Sequence, residues 1–376
     1  MIDLGEALEQ ESRRFVQEPG ARDRLDRRRD RRLRNRRIGS VILALSISVA
    51  TVGALFLAYR RAEVPAHNPP LGQSGRISLA RSQTRPGEGE GVVYTADPDG
   101  SNVRLLPGSD SWKPNTSWSP DGRRIAVNEP KPTAQGCPTG VVCAAVIVDV
   151  DTGTYRGIPW RMPGRWDVDC FPWSPDGTRL ACGALDDNGT GLSGIYTIRT
   201  SDGGDPVRIT RCVECEPGDF SPDGRRIVFA GSPADGEVGM FVVNIDGTDK
   251  HRITPKGLLL NGIDGGSWSS SGDQIVFQAR RPGQNWSIWV VNADGSDLHE
   301  LPIVGCGGEL AEAGSAACRL PGWSPDGTKI VLARRTTVRD AVAGIYTVNA
   351  DGSGLTQIPN TGPGDNEPAW GTHPGS

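Results

Sequence analysis

One five-residue phrase constrains this chain more than any other feature. WSPDG stands at 118–122, 173–177 and 323–327, FSPDG at 220–224 and a worn WSSSG at 268–272, while EPAW at 367–370 takes up the pattern a last time. Aligned on the aromatic residue, the copies follow one another at intervals of 47 to 55 residues. A steady period of about 40–50 residues with several strands per unit is the mark of propeller blades. With 50 Gly and 29 Pro among 376 residues, tight turns are expected to outweigh long helices throughout the repeats.

The turns give the order of strands within a unit. Asp-Gly supplies the positive φ that a tight hairpin requires, and a preceding Pro presets its own dihedral. Each SPDG therefore joins strands one and two. A second turn, DPDGSN (97–102), NIDGTD (244–249), NADGSD (292–297) and NADGSG (349–354), joins strands three and four. Four antiparallel strands make one blade. Ile125, Ile227, Ile275 and Ile330 on second strands, with IYTI, FVVN, IWVV and IYTV on third strands, make the sheet faces apolar, and such faces are buried only against neighbouring blades.

Five complete units start at the aromatics, whereas residues 76–107 offer three strands (RISLA, VVYTAD, VRLLP) with no aromatic opening strand. The C-terminal PAW supplies it. The expected fold is all-β, a six-bladed propeller over 76–371 whose first blade is built from both chain ends, with a short tail at 372–376. Closure of this kind leaves no free edge between first and last blades.

Residues 38–59, IGSVILALSISVATVGALFLAY, form an uncharged run of 22 residues. At 1.5 Å per residue a helix of that length crosses a hydrocarbon core of about 30 Å, so one transmembrane helix is expected ahead of the propeller. Ten Arg at 22–37 precede it against Arg60 and Arg61 behind it, which by the positive-inside rule keeps the N-terminus cytoplasmic. The linker 60–75 and the propeller are then extracytoplasmic, held at the cell membrane by a single pass. A cleaved signal peptide is the alternative, but the charged lead of 37 residues exceeds what that class uses. Segment 1–37 holds 12 Arg against 8 Asp plus Glu, and reads either as topogenic charge or as a docking segment for a soluble cytoplasmic partner. The net charge of -4 leaves the acidic excess on the propeller side, which argues against nucleic acid as its partner.

All eight cysteines follow the apolar run. An even set confined to the exported side is what disulfide bonding predicts. Cys212 and Cys215 also form a C-x-x-C such as zinc sites use, although no second pair or nearby His accompanies it. Folding the third-blade hairpin about its Pro175-Asp176 turn sets Cys170 almost opposite Cys182, within bridging distance. Loop locality pairs Cys137 with Cys143, Cys306 with Cys318 and Cys212 with Cys215.

The units resemble the WD40-like (PD40) beta-propeller repeat of the TolB family, whose pattern of Pro, aromatic, Ser-Pro-Asp-Gly and a later Asp-Gly-Ser is met by PNTSWSPDG, PWSPDG, NEPAW and NADGS. The resemblance covers about 76–370. It implies an exported module that binds protein or peptide, as TolB-type propellers mostly do, while the same repeat gates substrate in some peptidases. The unit at Trp268 departs from the pattern by losing Pro and Asp, and a membrane anchor stands where TolB has an amino-terminal α/β domain.

In such a blade the first strand is innermost, so the loop leading into it opens at the mouth of the central channel. Acids gather there: Asp110, Asp167, Asp169, Glu214, Glu216, Asp264, Asp365 and Glu367, with Arg319 breaking the series. They read as a negative funnel for a basic peptide or an amine terminus, or equally as acceptors for backbone amides that hold blades together. Long loops at 128–143 and 303–322 reach the same rim, where loops on a rigid ring usually carry binding. Of the four His, His251 and His299 follow outer turns, and His67 and His373 lie in the linker and tail. No nucleophile elbow, zinc-protease or P-loop motif occurs, and the Asp-rich turns lack the distal Glu of an EF-hand. No cofactor or metal is expected. A binding module of the cell envelope leads; a transmembrane regulator and an envelope hydrolase are the other classes.

Overall fold

Each repeat forms one antiparallel sheet whose first strand faces a common axis. The computed structural model describes residues 74–82, 91–107, 109, 115–128, 137, 140–232, 237–260, 265–309, 316–336, 342–362 and 364–372. The expected span at 38–59, segment 1–37, most of the linker, Asp110 and Asp264 lie outside them. Among the described residues no helix is long and apolar enough to cross a membrane.

Six sheets make the ring. Blade two runs Thr116–Trp118, Arg124–Val127, Cys143–Asp149, Tyr155–Pro159; blade three Trp166–Trp173, Arg179–Asp186, Gly194–Arg199, Val207–Arg211; blade four Val213–Phe220, Arg226–Ser232, Gly239–Asn244, His251–Arg252. In blade five Ser267–Trp268 and Leu259–Leu260 both pair with Gln274–Arg280, followed by Ser287–Asn292 and His299–Glu300. Blade six comprises Ala316–Trp323, Lys329–Thr336, Val342–Asn349 and Thr356–Gln357. Blade one takes the closing strand Asp365–Thr372, then Ser74–Ser82, Gly91–Ala96 and Arg104–Leu105.

The recurring phrase is explained by its turn. Ser221 Oγ–H donates to Asp223 Oδ1 at 2.6 Å while the oxygen accepts the Arg226 N–H at 2.9 Å, locking strand one to strand two. Ser119, Ser174 and Ser324 repeat the arrangement. In the worn unit Ser269 still accepts the Gln274 N–H, but its other neighbour is the Ser271 hydroxyl at 3.0 Å. The turn glycines, Gly122, Gly177, Gly224, Gly272 and Gly327, hold φ between 65° and 78°, where a side chain would be strained. The phrase also ties blades to each other: the Arg124 guanidinium lies 5.0 Å from the Trp173 ring of the next blade, and Arg226 lies 4.7 Å from Trp268.

The apolar core is divided rather than central. Buried side chains among the described residues fall into six clusters, one between each pair of adjacent blades, such as Ile195 and Ile209 against Phe220 and Phe229, or Ile77 and Leu79 against Val331 and Ile345. Ile125, Ile227, Ile275 and Ile330 are fully buried, each worth about 1.5–3 kcal/mol of transfer free energy. No blade could retain that stabilisation alone.

The head-to-tail junction matches the expected closure. Ile77 pairs with Trp370, Ser78 with Ala369 and Arg81 with Asp365. Trp370 Nε1–H donates to Gly75 O at 3.2 Å, and Trp118 Nε1–H of blade two donates to Ser78 Oγ at 3.1 Å.

The cysteines form four bridges, Cys137–Cys143, Cys170–Cys182, Cys212–Cys215 and Cys306–Cys318, with Cα separations of 5.6, 4.1, 6.0 and 5.4 Å. Cys170 and Cys182 stand directly opposite in the hairpin register.

Candidate binding site at the channel mouth

First strands of all six blades border a cavity of about 290 Å³ on the ring axis, and each contributes its aromatic residue: Trp118, Trp173, Phe220, Trp268, Trp323 and Trp370. Between blades four and five the backbones nearly touch, so that a Cβ on either Gly218 or Gly265 would run into the other's chain. Bulges at Leu320 and Glu367, with φ of 55° and 49°, interrupt the pairing of two first strands and turn these residues towards the channel.

Among the described residues two acids reach this cavity, Glu367 and Asp219. Protein surrounds the Asp219 carboxylate, although the void of the channel leaves the residue partly accessible. Burial pushes its pKa up to about 6, against the opposing effect of hydrogen bonds from Ser267 and the Trp268 amide. Asp219 did not stand out in the sequence because it sits one residue before the aromatic, not among the acids three to eight places ahead. In-register comparison at that single position would have found it, since the other blades carry Ser117, Pro172, Ser267, Gly322 and Ala369 there.

Four of the acids singled out in the sequence are gathered by the fold. Asp167 and Asp169 on blade three and Glu214 and Glu216 on blade four line a second cavity of about 170 Å³, together with Gly183, Ala184, Leu185 and Cys215. On blade three alternation explains the grouping, since Asp167 and Asp169 are two apart on a regularly paired stretch and share a sheet face; on blade four a bulge between Val213 and Glu216, with Glu214 at a φ of 53°, interrupts that alternation. Asp167 and Glu214 are exposed, whereas Asp169 and Glu216 are half-buried.

Two other residues have different surroundings. Asp365 is buried and occupied by Arg81, with bonds of 2.6 and 3.0 Å, so it serves ring closure rather than the mouth. Arg319 lies on blade six, its guanidinium 6.0 Å from the Trp286 ring. Burial pulls its pKa below the ordinary value, and the Arg335 charge adds to the effect while Glu367 opposes it.

Among the described residues no group of three or more His, Cys, Asp or Glu is placed to hold a metal. No His among the described residues borders either cavity; His251 and His299 instead turn back on the carbonyls of Asp249 and Asp297 at 2.9 and 2.8 Å.

The TolB beta propeller domain matches residues 75–307. The chain belongs to the TolB beta propeller family. Among solved structures it is similar to TolB from Acinetobacter baumannii, with a TM-score of 0.55 at 21% identity over 79% of this chain and 66% of that one. A protein from Agrobacterium tumefaciens assigned as TolB gives 0.53 at 20% identity, over 79% and 94% of the two chains. Hydrazine synthase of Kuenenia stuttgartiensis gives 0.52 at 16%, over 80% and 47%. At such identities the likeness is one of fold. No curated protein matches the chain. The TolB-type ring thus supplies the scaffold on which the mouth side chains stand.

Proposed function

We propose that this chain is a membrane-anchored, extracytoplasmic TolB-type propeller that binds a protein or peptide of the cell envelope at its channel mouth. The observation that carries the reading is the convergence of Asp167, Asp169, Glu214 and Glu216 on one cavity between blades three and four. Four carboxylates around a concave site favour a Lys or Arg side chain or a chain amine, and raise its rate of encounter. The family's usual role as a protein-binding module supports the same conclusion.

Fluorescence anisotropy of a labelled Lys-rich peptide tests it, with an Asp/Glu-rich peptide of equal length as control. The basic peptide is expected to bind more tightly, to weaken as salt rises, and to lose at least tenfold in affinity in the Asp167→Asn, Glu214→Gln double variant. Equal affinity for both peptides, unchanged in the variant, contradicts the reading.

The Arg-rich segment 1–37 favours a second role, in which it contacts a soluble cytoplasmic partner and the propeller acts as the sensor of a transmembrane regulator. Replacing 1–37 by an unrelated basic sequence separates the two. A plain anchor keeps its phenotype, and a regulator loses it.

A further inference from the structure

Blades five and six carry a positive cluster that the peptide reading does not use. Arg319 on the first strand of blade six pairs in register with Ala333, and Ala317 with Arg335, so the two arginines are diagonal neighbours on one sheet face, with Cβ atoms about 7 Å apart. Arg280 at the end of the second strand of blade five approaches from the next blade. Its guanidinium lies 4.9 Å from the ring of Trp286, the indole that Arg319 flanks at 6.0 Å.

None of the three forms an ion pair among the described residues. Arg280 spends one donor on the Gln284 carbonyl at 3.3 Å, and neither Arg319 nor Arg335 makes a hydrogen bond there. The Nε–H groups of all three are buried and unsatisfied. Other arginines of the ring show the contrast: Arg81 is taken up by Asp365, Arg179 by Asp205 and Arg281 by Glu300. Partly desolvated like charges repel, and buried unsatisfied donors cost stability. A ligand that brings negative charge and several acceptor oxygens removes both costs at once.

We propose that Arg280, Arg319 and Arg335, with Trp286 as an apolar wall, form a binding site for an oxyanion, either a carboxylate or a phosphate group. Guanidinium forks match both groups because each offers paired oxygens in a plane. The site goes beyond the peptide reading and does not depend on it, since it stands on blades five and six and takes the opposite charge.

Thermal unfolding of the full-length chain in detergent tests it, with inorganic phosphate and citrate as separate probes and sodium chloride holding ionic strength constant. A saturable rise in midpoint is expected with at least one probe. A phosphate-only response assigns the site to phosphate groups, a citrate-only response to carboxylates, and a response to both to oxyanions in general. Arg319→Met, which keeps the packing of the stem, and Arg335→Gln are each expected to weaken the apparent affinity at least tenfold. In the absence of anion Arg319→Met should unfold no lower than the parent, because it removes repulsion. No saturable rise with either probe overturns the proposal. So does a rise retained in both variants, which reports general exclusion of the salts from the protein surface.

Discussion

The Arg81 guanidinium grips the Asp365 carboxylate through two hydrogen bonds of 2.6 and 3.0 Å, joining residues 284 positions apart in the chain. Asp365 also accepts the Gly362 N–H at 2.9 Å, and its side chain is only 2% exposed. Asp365→Asn keeps the shape, removes the charge and sets an amide against a guanidinium. The variant is expected to lose on the order of 1–3 kcal/mol, read as a lower urea midpoint with an unchanged slope. A midpoint equal to the parent's would show that the pair adds nothing to closure.

The serine of the recurring phrase should matter in proportion to its bonds. Ser221 is fully buried and both donates and accepts, so Ser221→Ala strands the Arg226 N–H and is expected to cost about 1–2 kcal/mol. The worn blade offers the reverse experiment. Ser271→Asp replaces the hydroxyl beside Ser269 by the carboxylate acceptor that the other units carry and should raise the unfolding midpoint by about one degree or more, in a chemical or thermal melt.

Asp219 gives the propeller an acid-stabilised element. Its folded pKa of about 6 lies above the ordinary carboxylate value of 3.8, so the folded state holds the extra proton between those limits. Stability from this group therefore rises as pH falls from about 6 towards 4, and is lost as pH rises through about 6. Asp219→Asn should flatten that portion of the stability curve, making the variant more stable than the parent at pH 7.5 and nearly equal to it at pH 4. Parallel curves for the two proteins would place the carboxylate in a water-like setting.

The Cys170–Cys182 bridge staples a hairpin whose two cysteines are both fully buried. Replacing both by Ala is expected to cost roughly 3 kcal/mol, from the closed-loop entropy with some cavity loss. Non-reducing peptide mapping should recover Cys170 linked to Cys182 in the parent; a Cys182 to Cys215 peptide would contradict the pairing.

Blade number, strand order and closure were legible because WSPDG carries its own structural reason: Ser and Asp bond the turn, Gly supplies the positive φ, and the aromatic lines the axis. The grouping of Asp167 with Asp169 was visible in the alternation of their strand, whereas that of Glu214 with Glu216 passes through a bulge that the spacing alone does not reveal. That the two pairs share one cavity needed the packing of blade three on blade four. Which of its two expected roles Asp365 takes was hidden because its neighbours in sequence resemble those of the mouth, and its partner Arg81 comes from the other end of the propeller. Arg280 and Arg335 were invisible for a related reason. Nothing local marks an arginine as lacking a carboxylate, and Trp286 unites the cluster only across a blade boundary.

Deleting residues 365–376 takes away the closing strand, its aromatic and the Arg81 partner in one step. The apolar face of Ile77 and Leu79 and the edge of the strand Ser74–Ser82 would be left open. The unfolding temperature of the truncated full-length protein, measured in detergent beside the parent, is expected to fall by ten degrees or more, or folding to fail outright. An unchanged unfolding temperature would mean that the ring does not depend on its two ends meeting in one sheet.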